Sequence, residues 1–196
     1  MYIFESSETY NMLGGMFFGL PTNNGGIYIE NHSSLYTFNR QDELLPLDML
    51  LKHEYTHYLD GRYNIHGTFG ELEFYDWIAG RYVWWTEGLA NYVASAEPET
   101  GFYISAFSGN LISNDNGNYL SLETSLRNSY NYGGRMYAYS EAAWGYLNTI
   151  MPDAVNQMFK LVRTNSTQEF WNLLDSIAFN KDLQTGYTTY LNNVAT

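Results

Sequence analysis

The 196-residue chain contains no cysteine, which excludes disulfide bonds and any zinc site built from thiolates. Basic residues are also scarce: nine Lys and Arg stand against 21 Asp and Glu, and the formal net charge is −12. Because phosphate binding needs a basic patch, this composition argues against a nucleic-acid partner. No apolar run approaches the roughly 20 residues of a membrane-spanning helix. The N-terminus also lacks the basic and apolar segments of a signal peptide, so a secreted protein would carry its signal outside this chain.

What the chain does contain is enough apolar side chain for one domain with a substantial core, since apolar residues make up 45% of it. Its 19 tyrosines and five tryptophans are an unusually large number. Such side chains both pack and hydrogen-bond, so they predict aromatic walls. We expect a monomeric protein.

The most informative stretch is His53-Glu54-Tyr55-Thr56-His57. On a helix, residues four apart lie one turn apart on the same face, so the two imidazoles can converge on one metal ion. Glu54 then projects beside them toward a water molecule, which is the arrangement of a zinc peptidase with a general base. The alternative is a surface helix that carries two histidines and an acid.

A third ligand should lie further along the chain, because catalytic zinc commonly has three protein ligands and one open position. The candidates are Asp60, His66, Glu71, Glu73, Asp76 and Glu87. A metzincin would need Gly and His where Asp60 and Tyr63 stand, so that class is excluded. His66 would ligate only if its loop doubled back. Glu87 is favoured, because the tryptophans and small residues around it predict a helix that packs closely on its neighbour; a structural carboxylate is the alternative.

The order of the sequence patterns predicts an α+β protein. A small mixed lobe over residues 1–60 would end in the motif helix, and residues 61–196 would form a mainly helical lobe. Strands are expected at 1–5 and 27–30, a weak helix interrupted by Gly14-Gly15 at 8–18, and a loop at 108–118. Helices are expected at 46–59, ended by Gly61, and at 82–96, 121–127, 135–150, 153–163, 168–178 and 181–192.

Three segments carry a family resemblance. Residues 53–63 (HEYTHYLDGRY), 84–92 (WWTEGLANY) and 24–31 (NGGIYIEN) together resemble the bacterial collagenases of peptidase family M9, of the Vibrio type around WWTEG and of the clostridial type as well. The resemblance implies a gluzincin zinc-peptidase fold in which His53, His57 and Glu87 hold zinc and Glu54 is the catalytic base. It implies a secreted zinc metalloendopeptidase whose partners are collagen, gelatin or similar extended chains.

The same resemblance assigns further roles near the zinc. A tyrosine that stabilises the oxyanion matches Tyr139, with Tyr137 next, although a core tyrosine is a strong alternative in this chain. Gluzincins commonly have a carboxylate one turn after the glutamate ligand, to accept the free N–H of the first histidine. Asn91 stands there, so we expect weaker zinc binding than in relatives with a carboxylate.

A calcium ion close to the zinc is also implied. Its ligands match Glu30 and the backbone carbonyls of Gly61, Ile65 and Gly67, which are oxygen ligands of the kind that calcium prefers. The alternative is an ordinary loop after the motif helix.

Substrate binding is expected along residues 25–30, an edge strand above the zinc that pairs with the substrate backbone. Gly25 and Gly26 would leave room for the substrate main chain, and Tyr28 would contact it. The alternative is a core strand with a glycine turn.

Two rival functions stay open: a general gluzincin endopeptidase without collagen preference, and a catalytically weak module that binds collagenous chains. Full-length collagenases carry an activator lobe and accessory modules, which we expect to be absent here. We therefore expect cleavage of peptides and denatured collagen rather than of the intact triple helix.

Overall fold

The computed structural model describes residues 1–41, 44–65 and 82–195. The strands are β1 Tyr2–Phe4, β2 Gly26–Ile29, β3 Ser34–Phe38, β4 Ala96–Glu97 and β5 Gly101–Phe102. The α-helices are α1 Ser7–Thr9, α2 Gly15–Phe18, α3 Leu47–Leu59, α4 Val83–Ser95, α5 Ala106–Asn114, α6 Leu122–Ser125, α7 Gly134–Ile150, α8 Pro152–Arg163, α9 Thr167–Ala178 and α10 Lys181–Val194. Two π-turns, Tyr10–Gly14 and Asp60–Asn64, and two 3-10 turns, Glu30–His32 and Tyr130–Tyr132, complete the described elements. The predicted α+β class is confirmed.

The N-terminal sheet has the strand order β1-β3-β2, with β1 parallel and β2 antiparallel to the central strand. Among the described residues β2 is therefore an edge strand, as predicted. Its side chains alternate: Ile27 and Ile29 pack on a small aromatic core around Tyr10 and Tyr36. Gly26 faces the other way, toward Leu50 of α3. This alternation places the edge strand over the motif helix.

The larger core lies in the helical part, where α4 and α7 pack against each other. Trp85 and Trp144 meet edge to face, with ring centroids 4.8 Å apart, and both are buried. A Cβ on Gly88 would lie 2.6 Å from Trp144 Cδ1, so only glycine allows this close approach of the two helices. Because α4 also packs on α3, this contact fixes where Glu87 sits relative to the motif helix.

Three local predictions are corrected, and one strand of the sheet was not predicted. Residues 106–114 form helix α5 instead of a loop, because the Ser105 hydroxyl caps the N–H of Ser108 and Ile112 is buried. Gly61 does not end the motif helix, which continues as the π-turn Asp60–Asn64. The glycine pair at 14–15 does not interrupt the first helical stretch, which runs through a π-turn. Strand β3 was not predicted, because its alternation is short and lies next to turn residues.

Among the described residues no helix has the length and apolar character needed to cross a membrane.

Candidate metal centre

Helix α3 presents the two motif histidines on one face. Pro46 stands at its N-cap, and the helix then runs without a break through His57. The Nε2 atoms of His53 and His57 lie 3.0 Å apart. Oε2 of Glu87, on α4, lies 3.2 Å from Nε2 of His53 and 3.6 Å from Nε2 of His57. The structure thus brings together the three residues that the sequence singled out as ligands.

This group fits a zinc ion. In a tetrahedral site with Zn–ligand bonds near 2.0–2.1 Å, ligand atoms lie about 3.3 Å from one another. The three observed separations, 3.0, 3.2 and 3.6 Å, bracket that value. Within the described part of the chain, this is the only cluster of three or more His, Cys, Asp or Glu side chains with this geometry. Two imidazoles and one carboxylate leave one position open, as catalytic zinc requires.

The charges in the group are strongly coupled. Burial on its own raises the pKa of Glu87, but His57 and His53 outweigh it and hold that pKa well below its usual range. Burial lowers the pKa of His57, yet the neighbouring Glu87 carboxylate raises it to about 9. An ionised carboxylate therefore faces the two imidazoles, and a cation bound there would replace the proton that His57 holds.

Glu54 lies beside these ligands and is almost completely buried, with 4% of its surface exposed. Burial raises the pKa of its carboxyl group above the usual range, although His53 and His57 act in the opposite direction. A carboxylate with a raised pKa is suited to take up a proton and to release it again near neutral pH.

A cavity of about 410 Å³ opens over the group, and it is bordered by the edge strand on one side and by two tyrosines on another. Gly26, Tyr28 and Glu30 of the strand segment line this cavity, and so do Tyr130 and Tyr137. The hydroxyl of Tyr130 donates a 2.5 Å hydrogen bond to Oε1 of Glu87. An extended chain in this cavity would lie between the edge strand and the candidate metal ligands.

Asn91 lies where the sequence predicted it, one turn after Glu87 on α4. Its Oδ1 atom is 2.7 Å from Nδ1 of His53. Since Nε2 of His53 faces the other ligand atoms, Nδ1 carries the proton and donates to the amide oxygen.

The assignment of Tyr139 needs correction. Its side chain is fully buried, its hydroxyl donates to Oδ2 of Asp115, and its ring packs under Arg135. The structure therefore does not bring Tyr139 to the cavity, because residues two apart on a helix point to different sides. Tyr137, on the opposite side of α7, does line it. Tyr130 was not predicted, and its only sequence signal is the Tyr-Asn-Tyr-Gly turn directly before α7.

The candidate calcium ligands lie on two segments. Glu30 begins the 3-10 turn after β2, and Gly61 and Ile65 are buried at the π-turn after α3. Gly67 lies outside the described residues, as do the alternative zinc ligands His66, Glu71, Glu73 and Asp76.

The glycine pair at the start of the edge strand lies close to other parts of the protein. A Cβ on Gly25 would lie 2.5 Å from a terminal nitrogen of Arg40, and one on Gly26 would lie 3.3 Å from both Leu50 and Thr37. A side chain at either position would therefore require its neighbours to shift. The expected role of the glycines in substrate approach stays a prediction.

Comparisons with known proteins agree with this geometry. The family model described as Collagenase, Peptidase_M9, matches residues 1–186. Collagenase ColA of Bacillus cereus is 30% identical over 193 residues, which cover 96% of this chain and 20% of that protein. Collagenase ColA of Clostridium perfringens is 29% identical over 98% of this chain and 17% of its own length. The microbial collagenase of Vibrio parahaemolyticus is 36% identical over 100 residues, 46% of this chain. The chain spans a fifth or less of the length of these relatives.

Proposed function

This chain belongs to the Peptidase_M9 collagenase family, and from that membership we propose that it is a zinc metalloendopeptidase that cleaves extended collagen- or gelatin-like chains. The observation that carries the proposal is the convergence of His53, His57 and Glu87 beside the buried Glu54. We further propose that residues 1–196 form a gluzincin-type peptidase unit with a mixed lobe at 1–60 and a helical lobe at 61–196, and that it acts outside the cell.

His53, His57 and Glu87 would hold the zinc ion, with a net ligand charge of −1. When bound, zinc polarises a peptide carbonyl and makes water acidic enough to attack near neutral pH. The chain supplies the orientation: Asn91 fixes the ring of His53, and the packing of α4 on α3 fixes Glu87.

Glu54 would act as the general base and then as the general acid. Its carboxylate takes a proton from the attacking water and passes that proton to the leaving amine nitrogen as the C–N bond breaks. The raised pKa of this buried group favours the first transfer, because a carboxylate with a higher pKa accepts a proton more readily.

Tyr137 takes the role first assigned to Tyr139, that of donating a hydrogen bond to the developing oxyanion. Its side chain lines the cavity, and the pKa of its hydroxyl is raised by burial and by Glu87 and Glu54, so it stays protonated and able to donate. Removing a donor of this kind from an active site typically costs ~10²–10³ in rate.

The free edge of β2 would bind the substrate backbone. In an antiparallel or parallel pairing, main-chain hydrogen bonds give affinity with little dependence on side chains, as a substrate with a simple repeating sequence requires. Gly26 and Tyr28 border the cavity at this edge, so a chain paired there would pass directly over Glu54.

We also propose a calcium ion held by Glu30 and the carbonyls of Gly61 and Ile65, with Gly67 as the further ligand that the resemblance implies. One observation supports a cation here: Oδ1 of Asn64, in the same π-turn, is buried and accepts no hydrogen bond from the described residues. An oxygen-rich turn of this type suits calcium. Added calcium should raise the melting temperature of the parent and have less effect on Glu30→Gln.

The test is turnover of a quenched Gly-Pro-rich peptide by the zinc-loaded protein, beside a matched peptide without Gly-Pro repeats. Glu54→Gln should lower kcat by ~10²–10⁴ while one zinc per chain is retained, and a chelator should abolish turnover. Equal turnover of both peptides would support the general endopeptidase instead. Binding of the Gly-Pro peptide without turnover in a folded, zinc-loaded parent would support the binding module.

A further inference from the structure

The two carboxylate oxygens of Glu87 have different surroundings. Oε2 faces the Nε2 atoms of both histidines, at 3.2 and 3.6 Å. Oε1 accepts the hydrogen bond from the hydroxyl of Tyr130, at 2.5 Å. One oxygen of Glu87 therefore faces the two histidines, and the other is engaged by Tyr130.

A short hydrogen-bonded turn places Tyr130 next to Glu87. The 3-10 turn Tyr130–Tyr132 is closed by two hydrogen bonds, from the N–H of Tyr132 to the carbonyl of Ser129 and from the N–H of Gly133 to the carbonyl of Tyr130, both 3.0 Å. Gly133 follows with φ of +56° and ψ of −138°, a conformation that favours glycine. Helix α7 begins directly afterwards, so the turn is anchored to the largest core of the protein.

We propose that Tyr130 is a positioning residue that keeps Glu87 a one-oxygen ligand of the metal, a role that rests on the proposed zinc function. A carboxylate with two free oxygens can bind zinc through both and so occupy the position that water needs. A hydrogen bond from a hydroxyl to an ionised carboxylate is among the stronger ones in proteins, and here it ties down the second oxygen. The open fourth position of the site is then preserved by a residue that does not itself touch the metal.

Glu87 is buried, with 9% of its surface exposed, and the Tyr130 hydroxyl is the hydrogen-bond donor to its Oε1 atom among the described residues. Tyr137 lines the same cavity without this bond to Glu87, which separates the two tyrosines into different roles.

The ligand shell is thus supported from two sides by neutral groups. Asn91 orients His53 with an amide oxygen, and Tyr130 orients Glu87 with a phenol. Because the amide carries no charge, the orientation of the metal ligands depends more strongly on the hydrogen bond from Tyr130.

The experiment compares Tyr130→Phe with Tyr132→Phe, which lies in the same turn, and with the parent. Zinc dissociation constants are measured by competition with a chromophoric chelator, and Co²⁺ is loaded as a probe whose visible absorption falls when a fifth ligand binds. We expect ~10–100-fold weaker zinc binding and a weaker Co²⁺ band for Tyr130→Phe, with Tyr132→Phe unchanged. Near-ultraviolet circular dichroism checks that the ring substitution leaves the fold intact.

Unchanged zinc affinity and an unchanged Co²⁺ band in Tyr130→Phe would overturn the positioning role. If turnover fell in that case, Tyr130 would be the oxyanion donor instead. Equal losses in both variants would overturn it too, since the turn rather than the hydroxyl would be responsible. A parent that binds no zinc at His53, His57 and Glu87 would refute the proposed function itself, and the two failures are therefore distinguishable.

Discussion

Nδ1 of His53 lies 2.7 Å from Oδ1 of Asn91, so the first motif histidine is oriented by an amide on the neighbouring helix. The amide accepts the imidazole N–H, as a carboxylate would, but it adds no negative charge. The ring is therefore held in the correct orientation while its basicity as a ligand is left lower.

We expect Asn91→Asp to bind zinc ~10-fold more tightly than the parent, because a charged acceptor strengthens the bond to His53 and raises the basicity of Nε2. Chelator competition measures this. Asn172→Asp, at an exposed site on α9, changes the net charge equally and serves as the control. Equal affinity of Asn91→Asp and the parent, or an equal gain in the control, would contradict the prediction.

Tyr137 and Tyr139 of α7 should respond differently to loss of the hydroxyl. Tyr137→Phe should lower kcat by ~10²–10³ with little change in stability, because its hydroxyl lies at the cavity. Tyr139→Phe should keep its turnover and lose about 1 kcal/mol of unfolding free energy, since its hydroxyl bonds to Asp115. Steady-state kinetics and urea unfolding of both variants measure this. A kcat loss confined to Tyr139→Phe would restore the original assignment.

Gly88→Ala should destabilise the protein by about 1–3 kcal/mol through overpacking. The added Cβ would lie 2.7 Å from Cβ of Ser140 and 2.9 Å from its backbone carbon, and backbone cannot move aside as a flexible side chain does. Urea unfolding at constant pH is the measurement, and zinc affinity should fall as well because Glu87 precedes this glycine.

Gly109→Ala is the matched control, since Gly109 also lies within a helix but its nearest neighbour is 3.8 Å away. It should be neutral or slightly stabilising, by up to about 1 kcal/mol, because alanine has the higher helix propensity. Destabilisation of both variants by the same amount would refute the steric explanation.

The buried carboxyl group of Glu141 should make the stability of the protein depend on pH. This fully buried carboxylate accepts hydrogen bonds from the hydroxyls of Ser95 at 2.9 Å, of Ser105 at 2.8 Å and of Ser108 at 2.5 Å, and from the N–H of Ser105 at 2.7 Å. Burial nevertheless raises its pKa above the ordinary 4.5, although the hydrogen bonds act in the opposite direction.

A carboxyl group whose pKa is higher in the folded state binds its proton more tightly there, so its contribution to stability declines as pH rises above the ordinary value. Relative to Glu141→Gln, the parent should therefore lose unfolding free energy as the pH rises from 4.5 upward. Urea unfolding of the zinc-free proteins across this range measures the difference. A difference that is constant with pH, or that grows in favour of the parent, would show that the hydrogen bonds outweigh burial.

Several features of the molecule were readable from the sequence because they are set by local geometry. The spacing of His53 and His57 determines that both lie on one helix face, and the Asn-Gly-Gly turn before β2 indicates a strand at this point. The C-terminal helices α8, α9 and α10 each have an apolar stripe that is buried in the structure. Helix 106–114 was not predicted, because its Gly, Ser and Asn residues are typical of a loop. The cap at Ser105 and the burial of Ile112 outweigh this composition.

The tyrosines show where sequence reasoning stops. Tyr137 and Tyr139 are two residues apart on one helix, and only the packing of α7 decides which of them meets the cavity. Tyr130 reaches Glu87 across a gap of 43 residues, through a turn whose direction depends on Gly133. No periodicity in the sequence encodes such a contact.

The sequence by itself therefore determined the chemistry of the site: which residue types stand one helical turn apart, and that no thiolate can take part. The tertiary structure alone decided which distant groups complete it. The close packing of α4 on α7 at Gly88 brings Glu87 to the motif helix, and the fold of the turn before α7 gives Glu87 a tyrosine partner. The physical reason is that helix geometry is fixed by neighbours three and four residues away, whereas contacts between helices depend on the packing of the whole core.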